Sequence, residues 1–127
     1  MNNNTVLLIA RVLLAFIFIM AGISKFGAID GTAGYISSVG LPAGTLLAWL
    51  AAIFETVAGI FILIGFKTNF AAYAVALFCL ITALVFHFDF TDQTQMIMFM
   101  KNLAIAGGLL ALSVSGPGSI SVDARRS

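Results

Sequence analysis

The chain has 127 residues, of which 61% are hydrophobic and only 9% charged, with a formal net charge of +1. A soluble domain averages about 45–50% apolar and about 25% charged residues, so a chain this short has too little polar surface to shield its apolar residues from water. The small net charge and the shortness of the polar stretches exclude a basic arm for nucleic acid. The single cysteine, Cys79, excludes an internal disulfide, a CxxC pair and the thiol-relay class of membrane redox enzyme.

A membrane-spanning helix needs about 20 mostly apolar residues, and four such runs follow one another. The first, 5–26, is interrupted by Arg11 and closed by Ser24-Lys25-Phe26. Its competing reading is a cleaved signal peptide. Met1-Asn2-Asn3-Asn4 carries no basic residue, and no small-x-small cleavage site follows, so a retained first helix is expected. The segment 27–44 is rich in glycine and includes a short amphipathic piece, 32–39, suited to lie in the interface. The second run, 45–66, is broken only by Glu55 and has Trp49 near its start. Lys67-Thr68-Asn69 turns the chain into the third run, 70–88, which ends at His87-Phe88. After a loop with Asp89 and Asp92 comes the fourth run, 96–114. It holds Lys101-Asn102 and Gly107-Gly108, and Ser115-Gly116-Pro117-Gly118 ends it, because Pro and Gly do not continue a helix cheaply. The expected fold is therefore all-α, an integral membrane bundle of four transmembrane helices forming one domain over 1–127.

Four spans place both termini on one side of the bilayer. That side carries Lys67 and Arg125-Arg126, whereas the other carries Asp30, Asp89 and Asp92 with Lys25 as its one basic residue. The excess of Lys and Arg marks the cytoplasmic face, so both termini are expected inside.

A charge at the centre of a spanning helix costs about 2.5–3.5 kcal/mol on insertion scales, and by default it is a functional hypothesis. Arg11, Glu55, His87 and Lys101 lie within or at the ends of the spans, with Asn102 as a neutral companion. Helical spacing groups each with a row of small residues: Arg11, Ala15, Phe18, Gly22 and Lys25; Ala48, Ala52, Glu55 and Gly59; Tyr73, Ala76, Leu80, Ala83 and His87; Lys101, Ala104, Gly108 and Ala111. Small residues let helices approach closely in lipid, and the four rows are expected to face a common polar centre. By depth, Glu55 is expected to pair with Arg11 or Lys101, and His87, Lys101 and Asn102 to cluster at the end away from the termini. Phe86, Phe88 and Phe99 are candidate ring contacts there. The set is more positive than negative, which suits an electron-rich ligand atom such as a quinone oxygen, an anion or a lipid phosphate. The plainer reading is that the polar residues pair among themselves and only fix helix register. His87, Asp89 and Asp92 are metal-ligand types, but one His rarely makes a metal site and offers haem no second nitrogen, so no metal is expected. The row Met96, Met98 and Met100 reads as lipid-facing filler. No Ser-His-Asp spacing, P-loop or dinucleotide fingerprint is present.

These residues give the chain its likeness to a known family. Arg11, Gly22-Ile23-Ser24-Lys25-Phe26, Glu55 with Gly59, Gly65-Phe66-Lys67-Thr68, His87, Lys101-Asn102 with Gly107-Gly108, and Gly116-Pro117-Gly118 followed by Ser121 and Asp123 together resemble the DoxX family of small bacterial and archaeal membrane proteins. The resemblance covers nearly the whole chain. It implies a four-helix protein of the plasma (inner) membrane. Some members of that family are subunits of a thiosulfate:quinone oxidoreductase, and others are tied to redox stress or to quinone-like compounds. Two classes of function fit. One is a redox-associated membrane subunit that binds quinone, or something like it, as part of a quinone-linked oxidoreductase, with the activity of the isolated chain left open. The other is a non-enzymatic scaffold or a carrier of lipid or small molecules with a purely structural polar core. The partners expected are the lipid bilayer and a membrane or redox-enzyme protein or a second copy of the chain. Quinone is the one cofactor candidate.

Overall fold

The computed structural model describes residues 2–126. Six helices follow in order: α1 (Asn3–Phe26), α2 (Ile29–Ser38), α3 (Gly44–Ile64), α4 (Thr68–Phe86), α5 (Gln93–Ser115) and α6 (Val122–Arg126). No strand occurs among the described residues. Four of the helices, α1, α3, α4 and α5, are long and apolar enough to cross a membrane. The fold is thus the all-α bundle of four spans read from hydropathy, with bounds within a few residues of those expected.

Local chemistry sets the ends. Asn2 caps α1 by accepting from the Thr5 amide at 2.9 Å, and Asp92 caps α5 by accepting from the Thr94 amide at 2.9 Å, each satisfying one of the first-turn amides that a helix leaves free. The last turn of α3 closes on Gly65 in the left-handed region (φ +72°), with the Phe66 amide donating to the Phe61 carbonyl at 2.8 Å. This is the six-to-one bond of a Schellman ending, which favours glycine.

The spans pack as two pairs. α1 runs along α3 and α5 along α4, whereas α3 with α4 and α1 with α5 touch far less. Close approach within the first pair depends on glycine. A Cβ on Gly22 would overlap the Thr56 hydroxyl, and one on Gly59 would press on Ile19. The row Arg11, Ala15, Phe18 and Gly22 is buried, as is Ala48, Ala52, Glu55 and Gly59, so these two rows face inward as expected. At the end holding the termini the two pairs close on one another around Ala15, Ile62, Val75, Cys79 and Leu109. At the opposite end they part.

The α4 row holds except at its start: Ala76 and Ala83 are buried and Leu80 and His87 half-buried, while Tyr73 is exposed, and Thr68, Ala71, Ala72, Val75 and Cys79 widen the buried face. The α5 row is corrected. On α5 the buried side chains are Ala106, Leu109 and Leu112, whereas Lys101, Ala104, Gly108 and Ala111 are exposed. The inward face of α5 begins one residue later, at the half-buried Asn102 and Ile105. One residue turns a helix by about 100°, so Asn102 faces in and Lys101 faces out.

Candidate functional site

Where the helix pairs part, they enclose a cavity of about 980 Å³. All of α1 to α5 contribute to it. Its walls are mainly apolar and aromatic, with Phe18, Phe54, Phe78 and Phe86 among them, and its polar groups include Lys25, Glu55, His87 and Asn102. Phe54 of α3 meets Phe78 of α4 with ring centroids 5.2 Å apart. α2 covers the end of the cavity. Its Ala33 and Ile36 pack on Ala48 of α3. Tyr35 stacks on Phe86 at 5.4 Å between centroids and donates its hydroxyl to the Phe86 carbonyl at 3.2 Å. The amphipathic piece expected at 32–39 is part of α2, which starts earlier, at Ile29, and covers the cavity end.

The charge centre of the cavity is an ion pair. Lys25 Nζ lies 2.8 Å from Glu55 Oε2, with the carboxylate side chain only 6% exposed and the lysine 28%. This corrects the pairing of Glu55 with Arg11 or Lys101. Arg11 packs against Gly65, ten residues from Glu55 on α3 and hence about 15 Å along the axis. Lys101 is turned out of the bundle. Lys25 instead reaches Glu55 from the last turn of α1. Gly22 lies against Ala52 and Thr56, so Lys25 sits about one turn beyond Glu55 and its four-carbon stem spans that turn. The usual direction for such a side chain is toward the nearer interface. Here it bends into the bundle.

The other expected residues divide. His87 lines the cavity, with Nδ1 2.8 Å from Gln95 Oε1. The contact is a hydrogen bond to the amide oxygen when Nδ1 carries a proton, since that oxygen only accepts. Asn102 lines it too, with Nδ2 donating to the Met98 carbonyl one turn back at 3.0 Å. Lys101 and Arg11 do not line it. Of the candidate rings, Phe86 does. Phe88 and Phe99 do not and instead cluster with Phe90, at centroid distances of 4.9 to 5.9 Å, with Phe88 and Phe90 exposed. Met98 is a wall residue of the cavity as well as an exposed side chain, so the methionine row is only in part lipid-facing. Among the described residues no three His, Cys, Asp or Glu side chains group as metal ligands.

The sequence that folds into this bundle matches a family model. The DoxX family profile covers residues 6–88. The chain belongs to the DoxX family. It is 42% identical to inner membrane protein YqjF of Escherichia coli over 116 residues, which are 91% of this chain and 88% of that protein. It is 41% identical to inner membrane protein YphA of the same organism over 124 residues, 94% of this chain and 89% of that one. CatD of Bacillus subtilis, which carries a provisional oxidoreductase name, is 33% identical over 70 residues, 55% of this chain and 51% of CatD. No solved structure matches the chain significantly.

The end of this DoxX protein that holds the termini is built differently. Arg11, 1% exposed, donates from Nη2 to the Ile120 carbonyl. The tail is folded back to meet it. The Asp123 carboxylate accepts from the Lys67 amide at 2.7 Å and the Thr68 amide at 2.9 Å, and the Asp123 amide donates to the Gly65 carbonyl at 2.9 Å. Ser119 donates its amide to Asn4 at 2.9 Å. Partial burial works to raise the Asp123 carboxyl, but the two amides, the Thr68 hydroxyl and the nearby Arg126 outweigh it and hold the carboxyl below its ordinary range. At the far end Asp89 is held low mainly by the Thr91 hydroxyl, 2.5 Å away, and also by the Thr91 amide.

Four residues of the two sites lie outside the candidate set that the sequence suggests. Lys25 was on the correct face of α1, but its position at the helix end assigned it to the loop. Tyr35 gave no periodic signal. Ser121 and Asp123 stood in the family pattern but lay in what read as a polar tail.

Proposed function

We propose that this DoxX protein binds a lipid-soluble ring compound carrying hydrogen-bond-accepting oxygens, of the quinone type, between its two helix pairs. The observation that carries this reading is the Lys25–Glu55 pair set into the wall of a large, mostly apolar cavity. Ligand sites are commonly apolar clefts of about 300–1,000 Å³ with a few placed polar groups. Here the rings of Phe18, Phe54, Phe78 and Phe86 line an apolar slot. The Lys25 ammonium has three N–H donors and uses one toward Glu55, so it has donors to offer a ligand oxygen. Asn102 and His87 add polar contacts on the facing helix pair. Leu50, Leu77 and Ile81 are both wall residues and exposed on the lipid-facing surface, which favours entry from the bilayer. The protein would serve a redox partner as the subunit that holds such a ligand, in the inner membrane as for YqjF and YphA, with its termini cytoplasmic.

The same exposed wall favours a second reading, a carrier of lipid acyl chains, for which the ion pair only fixes the register of α1 on α3. Binding of a short-chain quinone analogue to the purified protein separates the two. Lys25→Met with Glu55→Gln removes both charges while leaving no unpaired buried ion, and is expected to weaken quinone binding by about tenfold, the scale of one lost hydrogen bond to a charged group. Lys101→Met is expected to bind as wild type. Absence of saturable quinone binding by the wild type, with lipid retained through purification, would replace the quinone reading by the carrier one. Orientation is tested separately. In a Cys79→Ser background, cysteine in place of Thr91 is expected to react with an impermeant thiol reagent in intact cells, and cysteine in place of Asn69 to be shielded.

A further inference from the structure

We propose that the crevice beside Arg11, at the end holding the termini, is a phosphate-binding site for an anionic group flanked by hydrocarbon. It is distinct from the large cavity. The crevice measures about 300 Å³ and is lined by Arg11, Ser121 and Arg125 together with apolar residues of α1, α3 and the tail, Leu8, Leu63 and Ile120 among them. Arg11 is the reason to expect an anion there. A guanidinium has five N–H donors, and Nη2 is bonded to the Ile120 carbonyl. Nε and Nη1 are buried with no hydrogen-bond partner among the described residues. A buried charge left incompletely paired is costly. The nearest carboxylate, Asp123, attracts Arg11 through space, but its oxygens are bonded to the Lys67 and Thr68 amides. Arg125, exposed on α6, is the second cation at the crevice.

The chemistry that fits two guanidinium groups is a phosphate oxygen pair. The apolar lining fits an acyl chain alongside it. The phosphate is therefore either the headgroup of an anionic phospholipid or free inorganic phosphate. Arg126 supplies an internal control. It lies on the same short helix, but its guanidinium sits over the Phe66 ring at 5.1 Å and it is not part of the crevice. Diffuse attraction of a basic tail to an anionic surface would use both arginines alike. A built site would use Arg125 and not Arg126.

The test uses the full chain in nanodiscs and in mild detergent, with thermal stability and lipid retention by native mass spectrometry as readouts. Phosphatidylglycerol is expected to stabilise the protein and be retained over phosphatidylcholine. Arg125→Gln is expected to lose about tenfold in affinity for it, with Arg126→Gln within twofold of wild type. Inorganic phosphate tested alone distinguishes the source. Stabilisation by phosphate at millimolar concentration that Arg125→Gln abolishes would assign the site to the free anion, and none would assign it to the lipid headgroup. Equal losses in the two arginine variants, or no preference between the two lipids and no effect of phosphate, would overturn the site. Arg125 and Arg126 are both exposed, so neither variant places folding at risk.

Discussion

Arg11 and the Lys25–Glu55 pair are the two places where this protein buries charge within its spans, and they are handled in opposite ways. At the end holding the termini, the helix pairs close and the tail folds over Arg11. The Ile120 carbonyl, Gly65 and the Asp123 clamp on the α3–α4 turn all converge there. At the other end, the helix pairs part, and Lys25 and Glu55 neutralise one another inside a cavity of about 980 Å³. Covering a charge with backbone makes a tight joint with a small crevice. Pairing two charges across α1 and α3 neutralises them without filling the space between the helix pairs. The comparison explains how one small bundle is closed at one end and hollow at the other.

The largest expected effect breaks the open end. Glu55→Lys would place two ammonium groups together in the bundle, and a loss of about 3–5 kcal/mol is the usual scale for leaving a buried charge unpaired. Measured as melting in detergent, that variant should fall far below Lys101→Met, whose side chain is exposed. Equal stability of the two would mean that the ion pair is not held inside.

Next is the closed end. Gly65→Ala meets two obstacles, a backbone at φ +72° and a Cβ that would overlap Arg11 Nη1 and the Ser121 side chain. Gly40→Ala meets only the first, since φ is +89° and nothing lies within 4 Å of the added carbon. Strain alone costs about 1 kcal/mol, and overlap in a packed site adds about 1–3 kcal/mol. Gly65→Ala should therefore be the more damaging by that increment, and identical melting temperatures would show that the tail yields freely.

A smaller effect is expected from the clamp. Asp123→Ala should cost about 1 kcal/mol, near the low end for bonds to a charged group because the site is partly exposed. The sign of its pH dependence follows from the direction of the shift. A carboxyl held low in the folded protein contributes fully above its ordinary, unfolded value near 3.9 and loses that contribution as pH falls through the lower folded value. Wild type and Asp123→Ala should differ at pH 5 to 7 and converge in stronger acid. A difference that grew with acidity would contradict the clamp. Smallest of all is Tyr35→Phe, which keeps the ring on Phe86 and removes one exposed hydrogen bond. Its stability should change by less than about 1 kcal/mol, while hydrogen exchange in α2 should rise.

The four spans, the glycine-bearing rows of α1 and α3 and the stop at Gly116 were all legible in the sequence by itself. They follow from local rules: apolar length against bilayer thickness, helix breakers at the end of a run, and small residues wherever two helices must touch. The rotation of α5, the partner of Glu55 and the fold-back of the tail were decided by tertiary structure alone. The physical reason is the solvent. In water an exposed apolar face is penalised, so periodicity reveals the buried side. In lipid, tails are as apolar as Leu and the outward face carries no such mark, so α5 could present either Lys101 or Asn102 inward at similar local cost. Its packing against α4 through Ala106, Leu109 and Leu112 set the choice. Lys25 then followed from reach, since a flexible stem can bridge a helical turn and depth along the chain does not name its partner. The tail followed from Arg11, whose buried donors need acceptors that no single helix row supplies.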